Sequence, residues 1–138
     1  MSDLAKYHGR MVWGSYYTVA TAMHLLHEAA CQTSPRGVLR NELVADLDRF
    51  AHRNVGSIFL KLDDHLTDPL QVATFLAVCR RAASRLHEFG AAIPRDIWSS
   101  WRISDGADPA RQDMKTEAIV GFIHDLGECI STARHGEP

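Results

Sequence analysis

The fold is decided by the stretch from Trp13 to Cys31, WGSYYTVATAMHLLHEAAC. Its apolar residues recur every three or four positions, which predicts a long amphipathic helix running from Ser2 or Asp3 to about Cys31. The main apolar stripe of this helix comprises Leu4, Met11, Val12, Ser15, Val19, Ala22, Met23, Leu26 and Ala30. A second stripe, on nearly the opposite side, comprises Trp13, Tyr17, Ala20 and His24. A helix with two apolar stripes is either central in a bundle or presents its second face to a partner.

The rest of the chain predicts further helices joined by short connections. A helix-capping residue precedes a proline at Ser34-Pro35, Asp68-Pro69 and Asp108-Pro109, and each pair predicts a helix start. The apolar stripes of these three helices, and of a short helix over 58–66, follow the helical period, while Pro94 begins a turn or two of helix. The stripe residues are Leu39, Leu43, Leu47 and Phe50; Val72, Phe75, Leu76, Cys79, Ala83 and Leu86; Ile119, Phe122, Ile123, Leu126 and Ile130; and, in the short helix, Ile58, Phe59, Leu62 and Leu66.

Alternating polar and apolar residues bounded by turn signals would indicate strands, and we identify no such segment. The sequence therefore predicts an all-α fold, a bundle of four to five amphipathic helices with short connections. Residues 1–138 form a single helical-bundle domain, in which the last helix ends near Ala133 and 134–138 form a frayed tail.

The composition excludes several classes of function. With 46% hydrophobic and 23% charged residues, the chain is typical of a globular protein, and its net charge of −2 does not favour nucleic-acid binding. Cys31, Cys79 and Cys129 lie far apart without a C-x-x-C motif, which favours reduced thiols and a cytoplasmic location. No signal-peptide pattern or membrane-length apolar run is present, so no membrane association is expected.

Charge is unevenly distributed along the second half of the chain. Residues 69–102 contain five arginines against two acidic residues, whereas residues 103–138 contain seven acidic residues against three basic ones. Blocks of opposite sign can steer a charged partner, although they are more typical of solvated helix faces.

Eight histidines in 138 residues raise the question of a metal site. The densest group is His24, His27 and Glu28, which share one region of the first predicted helix. A metal site inside a helical bundle also needs ligands within the stripes of the other helices, and those stripes are apolar. We therefore predict no metal and no cofactor.

The stretch Phe122–Glu128, FIHDLGE, resembles the His-Asp motif of the HD-domain phosphohydrolases. The resemblance implies that His124 and Asp125 bind a metal ion that activates water for phosphate-ester hydrolysis. On the predicted helix, His124 lies opposite Leu126 and Ile130, on the outer face. This position favours a surface histidine over a metal ligand.

The stretch Arg81–His87, RAASRLH, resembles the Arg-then-His motif of the HEPN-type helical ribonucleases. The resemblance implies that Arg81 and His87 act on an RNA phosphate and its 2′-hydroxyl, usually across a dimer. Arg80 gives a second match to the same histidine. A ribonuclease of this kind is the alternative function.

The surface features favour a protein-binding module without catalytic residues. Small bacterial immunity or antitoxin proteins are one such class, and they inhibit a toxin, encoded nearby, by steric occlusion. A homodimer is an open alternative. The predicted partner-binding residues are aromatic or lie beside aromatic residues, and Trp is enriched at interface hot spots. They are Trp13, Tyr17, His24, Trp98 and Trp101.

Overall fold

A computed structural model of the protein describes residues 3–33, 37–53, 56–103 and 114–136, with side chains described to residue 133. Five α-helices occur in these ranges: α1 (Tyr16–Gln32), α2 (Asn41–His52), α3 (Pro69–Phe89), α4 (Arg95–Ser100) and α5 (Glu117–Gly136). The strands are β1 (Asp3–Tyr7), β2 (Arg10–Gly14), β3 (Phe59–Lys61), β4 (Ala92–Ile93) and β5 (Met114–Lys115). None of the helices in these ranges is long and apolar enough to cross a membrane.

The prediction of an all-α fold is wrong, because the helices pack beside two small sheets. A three-stranded mixed sheet has the order β2-β1-β3, and β4 pairs with β5 in a second, two-stranded sheet. Strand β1 is antiparallel to β2 and parallel to β3. Strands β1 and β2 replace the N-terminal part of the long helix that the sequence predicted.

Residues 3–14 form a hairpin because a tight turn interrupts them at His8 and Gly9. Both residues have positive φ angles, 50° and 79°, as a two-residue hairpin turn with a right-handed twist requires. Alternate residues then face the same side, so Ala5, Tyr7 and Val12 are buried against the helices. This alternation divides the predicted stripe, because Val12 faces the helices whereas Leu4 and Met11 lie on the opposite face of the sheet.

The predicted short helix over 58–66 is replaced by strand β3 and a 3-10 turn at Leu62–Asp64. Strand β3 is held to β1 at its start, where the buried Asp3 carboxylate accepts a hydrogen bond from the Ile58 N–H at 2.6 Å. The Leu4 N–H donates to the Ile58 carbonyl at 3.1 Å. The apolar residues of this segment enter the core, except for Phe59, whose side chain is 44% exposed.

Three predicted helices are confirmed as α2, α3 and α5, with corrected ends. The apolar stripes of α2 and α5 are buried, as predicted. Helix α3 starts at Pro69, where the Asp68 carboxylate caps it, and it ends before Gly90. Helix α2 starts at Asn41, and α5 extends past the predicted end at Ala133. Two of the predicted start positions, Ser34-Pro35 and Asp108-Pro109, lie outside the described residues. Part of the predicted tail lies outside them as well.

The core is centred on α1. Eight of its residues are buried, and they lie all around the helix rather than along one stripe. Helix α1 contacts α2, α3 and α5, and it also packs on β1 and β2. The second apolar stripe of the predicted helix is therefore internal wherever it falls on α1.

Replacing Asp3 with alanine is expected to destabilise the protein, because the buried Ile58 N–H would lose its acceptor. A buried donor left without a partner costs about 1–3 kcal/mol, which urea unfolding can measure. Asp3→Asn keeps an acceptor oxygen and is expected to lose clearly less. Equal losses in the two variants would show that this hydrogen bond does not hold β3 to β1.

Candidate functional site

The outer face of the three-stranded sheet carries an exposed apolar surface. Trp13, Leu4 and Phe59 lie side by side across β2, β1 and β3, and the next row consists of Met11, Lys6 and Lys61. We call these six residues the outer-sheet patch. Because successive side chains in a strand alternate between faces, all six share the face that turns away from the helices.

Exposure within the outer-sheet patch is high for large apolar side chains. Trp13 is 55% exposed, Met11 48% and Phe59 44%, whereas Leu4, which lies between them, is only 8% exposed. The ammonium group of Lys61 lies 5.5 Å from the centre of the Phe59 ring. The surface thus combines apolar side chains with two lysines, and among the described residues Leu70 on α3 is the one other large apolar side chain with comparable exposure.

The predicted binding residues are divided between this surface and the interior. Trp98 on α4 is 2% exposed, and its indole N–H donates to the Thr21 hydroxyl on α1 at 2.9 Å. Its ring meets Tyr17 edge to face, with centroids 6.2 Å apart. Tyr17 and Trp98 therefore pack within the chain, whereas Trp13 projects from β2.

His24 also meets Trp101, the residue that follows α4. Their rings stack with centroids 4.5 Å apart and an interplanar angle of 24°. Trp101 meets Phe89 edge to face, and the Arg85 guanidinium lies over the Phe89 ring. The short helix α4 thus covers the side of α1 that the sequence left open between a partner and another helix.

A hydrogen-bonded chain of two histidines joins α1 to α2. His52 Nδ1 lies 2.6 Å from Asp48 Oδ1, and His52 Nε2 lies 2.8 Å from His24 Nδ1. A carboxylate only accepts, so His52 donates from Nδ1 to Asp48, and one proton lies between His52 Nε2 and His24 Nδ1. His24 Nε2 is buried without a hydrogen-bond partner, 4.0 Å from a Glu28 oxygen.

The surroundings of His24 keep it neutral. The pKa of His24 is lowered from 6.5 to about 3, chiefly by burial and additionally by electrostatic interactions with His52, His27 and Arg85, against the opposing effect of Asp48. Since its side chain is 12% exposed and stacked on Trp101, the ring has little access to solvent. This histidine chain is built for packing two helices together rather than for exchanging protons with a substrate.

The buried His24 is expected to make the protein less stable in acid. Its pKa is about 3 in the folded state and 6.5, the ordinary value for histidine, in the unfolded chain, so between these values only the unfolded state binds the proton. This contribution is present above pH 6.5 and is lost as the pH falls, by about 1.4 kcal/mol per pH unit. His24→Phe keeps a ring on Trp101 and should flatten the dependence, measured by urea unfolding across this window.

A matched control for the acid experiment is Leu70→Ala, because Leu70 is 59% exposed on α3 and the change removes no ionisable group. It should leave the slope of unfolding free energy against pH unchanged. If His24→Phe and the wild type showed the same slope, the proposed neutral state of His24 would be wrong.

The histidines do not converge on a metal site within the part of the chain that the structure describes. No group of three or more His, Cys, Asp or Glu side chains is arranged there to hold a metal ion. His27 Nε2 instead lies 3.7 Å from the exposed Cys31 thiol one turn along α1. Sequence reasoning missed this pair, although its four-residue spacing on a helix was the signal that could have found it.

The residues of the two enzyme resemblances lie around a groove of about 320 Å³ between α3 and α5. Arg80 and His87 line it from α3, and His124 and Glu128 from α5. Arg81 turns away, and its Nε donates to Gln32 on α1 at 3.2 Å. The arginine that lines the groove together with His87 is therefore Arg80 and not Arg81.

His124 lies in the open part of this groove. Its Nδ1 is 3.6 Å from Asp125 and its Nε2 is 3.9 Å from Glu128, and all three side chains are more than 60% exposed. Such solvated groups interact weakly. This arrangement differs from a buried metal centre, and the mixed sheet differs from the helical fold that the ribonuclease resemblance implies.

Comparison of the chain with known protein families, curated proteins and solved structures finds no match. The candidate site is therefore defined by geometry alone. The outer-sheet patch is an exposed apolar surface suited to contact with another macromolecule.

Proposed function

We propose that this protein is a small protein-binding module and that the outer-sheet patch is its contact surface. The observation that carries the proposal is the row of Trp13, Leu4 and Phe59 across the sheet, with both aromatic rings about half exposed. Aromatic residues and Met are enriched at protein interfaces, and Trp in particular supplies binding energy. Burying these rings on a partner would remove them from water without rearranging the fold.

We further propose that the protein acts in the cytoplasm as an immunity or antitoxin-type inhibitor. Occlusion of a toxin by this surface needs no catalytic group on the inhibitor, which fits a patch composed of apolar side chains and lysines. The cysteines are free thiols, as is usual in a reducing compartment. The partner in this proposal is the toxin-like product of a neighbouring gene.

The double variant Trp13→Ala, Phe59→Ala is expected to bind that partner about 30-fold more weakly, because it removes a central hot spot worth roughly 2 kcal/mol. Isothermal titration calorimetry with the co-expressed and separated neighbouring gene product gives the affinity. Leu70→Ala is the matched control, since Leu70 is 59% exposed but lies on α3. It should bind as tightly as the wild type.

Thermal unfolding of both variants shows whether the fold is retained, and only variants that unfold like the wild type are compared. Unchanged affinity of the double variant would overturn the outer-sheet patch as the contact surface. Failure of the neighbouring gene product to bind would overturn the immunity proposal. A homodimer that the double variant dissociates, seen by light scattering, would assign the patch to self-association instead.

A further inference from the structure

Strand β2 has one open edge, and a groove of about 420 Å³ runs along it. One wall of the groove consists of four consecutive residues of β2, 10–13, and the other consists of Asp125, Glu128 and Cys129 on α5. An open strand edge next to a groove is the geometry in which proteins bind an extended segment as an added strand.

The hairpin register determines which backbone groups of β2 are available. In a two-residue hairpin, the pair next to the turn, Tyr7 and Arg10, is hydrogen bonded, and every second pair beyond it is bonded too. The residues between, Met11 and Trp13, therefore direct their N–H and C=O groups away from β1. The Leu4 N–H supports this phase, because it donates to the Ile58 carbonyl on the opposite side of β1.

The two faces of an added strand would meet different chemistry. On the outer face, its side chains would extend the row formed by Met11 and Trp13, which are apolar and half exposed. On the inner face, its side chains would meet the carboxylates of Asp125 and Glu128, which are 70% and 66% exposed. The groove therefore has two negative carboxylates and one positive guanidinium, that of Arg10. This excess of negative charge favours basic side chains on the inner face of the added strand.

We propose that the open edge of β2 binds an extended partner segment in which apolar and basic residues alternate. The apolar residues lie beside Met11 and Trp13, and the basic residues pair with Asp125 and Glu128. The backbone hydrogen bonds of Met11 and Trp13 hold the segment in register. This inference rests on the proposed function and specifies how that same surface engages its partner.

The probe is a synthetic peptide of alternating valine and lysine, capped at both ends, with a valine–glutamate peptide of equal length for comparison. Hydrogen exchange followed by NMR reports on single amides. The valine–lysine peptide should slow exchange at the Met11 and Trp13 amides by about tenfold or more at saturation. Binding of the valine–glutamate peptide with equal affinity, or no protection of these two amides, would overturn the inference.

Two pairs of variants separate the backbone from the charges. Met11→Pro and Met11→Thr both remove the apolar side chain, but only proline also removes the outward N–H, without breaking the β1–β2 ladder. Met11→Pro should therefore bind the peptide about tenfold more weakly than Met11→Thr. Asp125→Asn with Glu128→Gln should also weaken it about tenfold, with a smaller salt dependence. Glu117→Gln, exposed at the start of α5, is the matched charge control and should have no effect.

The same variants separate failure of this inference from failure of the proposed function. If the neighbouring gene product needs Trp13 and Phe59 but tolerates Met11→Pro, strand addition is wrong and the contact surface stands. If it tolerates both sets of changes, the outer-sheet patch is not its binding site, and both proposals fail.

Discussion

The structure depends on burying α1 on all sides. Over residues 19–26 this helix has almost no face left for solvent, so other elements must cover each side of it, and here the cover comes from α2, α3, α5, the first sheet and the short α4. Helix α4 covers the remaining side of α1 with Trp98, whose indole N–H donates a hydrogen bond to the buried Thr21 hydroxyl. The hydrogen bond removes the cost of burying both polar groups, and it fixes α4 in one position on the core.

This constraint explains why the aromatic and histidine residues of α1 pack against other parts of the chain. Tyr17 and His24 occupy the side that α4 covers, and their rings meet Trp98 and Trp101. What remains exposed is the part of the predicted stripe that precedes α1. Trp13 lies there, in a strand, and its neighbours across the sheet rather than along a helix decide its surroundings.

The sequence predicted the parts of the fold that depend on local patterns. Helix α3 has a capping aspartate, a first-turn proline, a continuous stripe and a terminal glycine, and these signals agree with one another. The hairpin was missed because its strands are short and its turn is His-Gly rather than a stronger turn pair, so a helical period fitted the same apolar residues. Trp13 was identified from its residue type, but Phe59 and the two lysines were not, because their proximity follows from a strand pairing that no local pattern contains.

The parallel pairing of β1 with β3 also sets an order of events during folding. Asp3 and Ile58 are 55 positions apart, and the intervening chain contains α1 and α2. During synthesis, β1 leaves the ribosome well before β3, so the hairpin lacks its third strand until α2 has been made. Closing so long a loop is entropically costly, and such non-local contacts form late and slowly. Until β3 is made, the nascent hairpin therefore exposes the second edge of β1 as well as the outer edge of β2, and an open strand edge can pair with other chains.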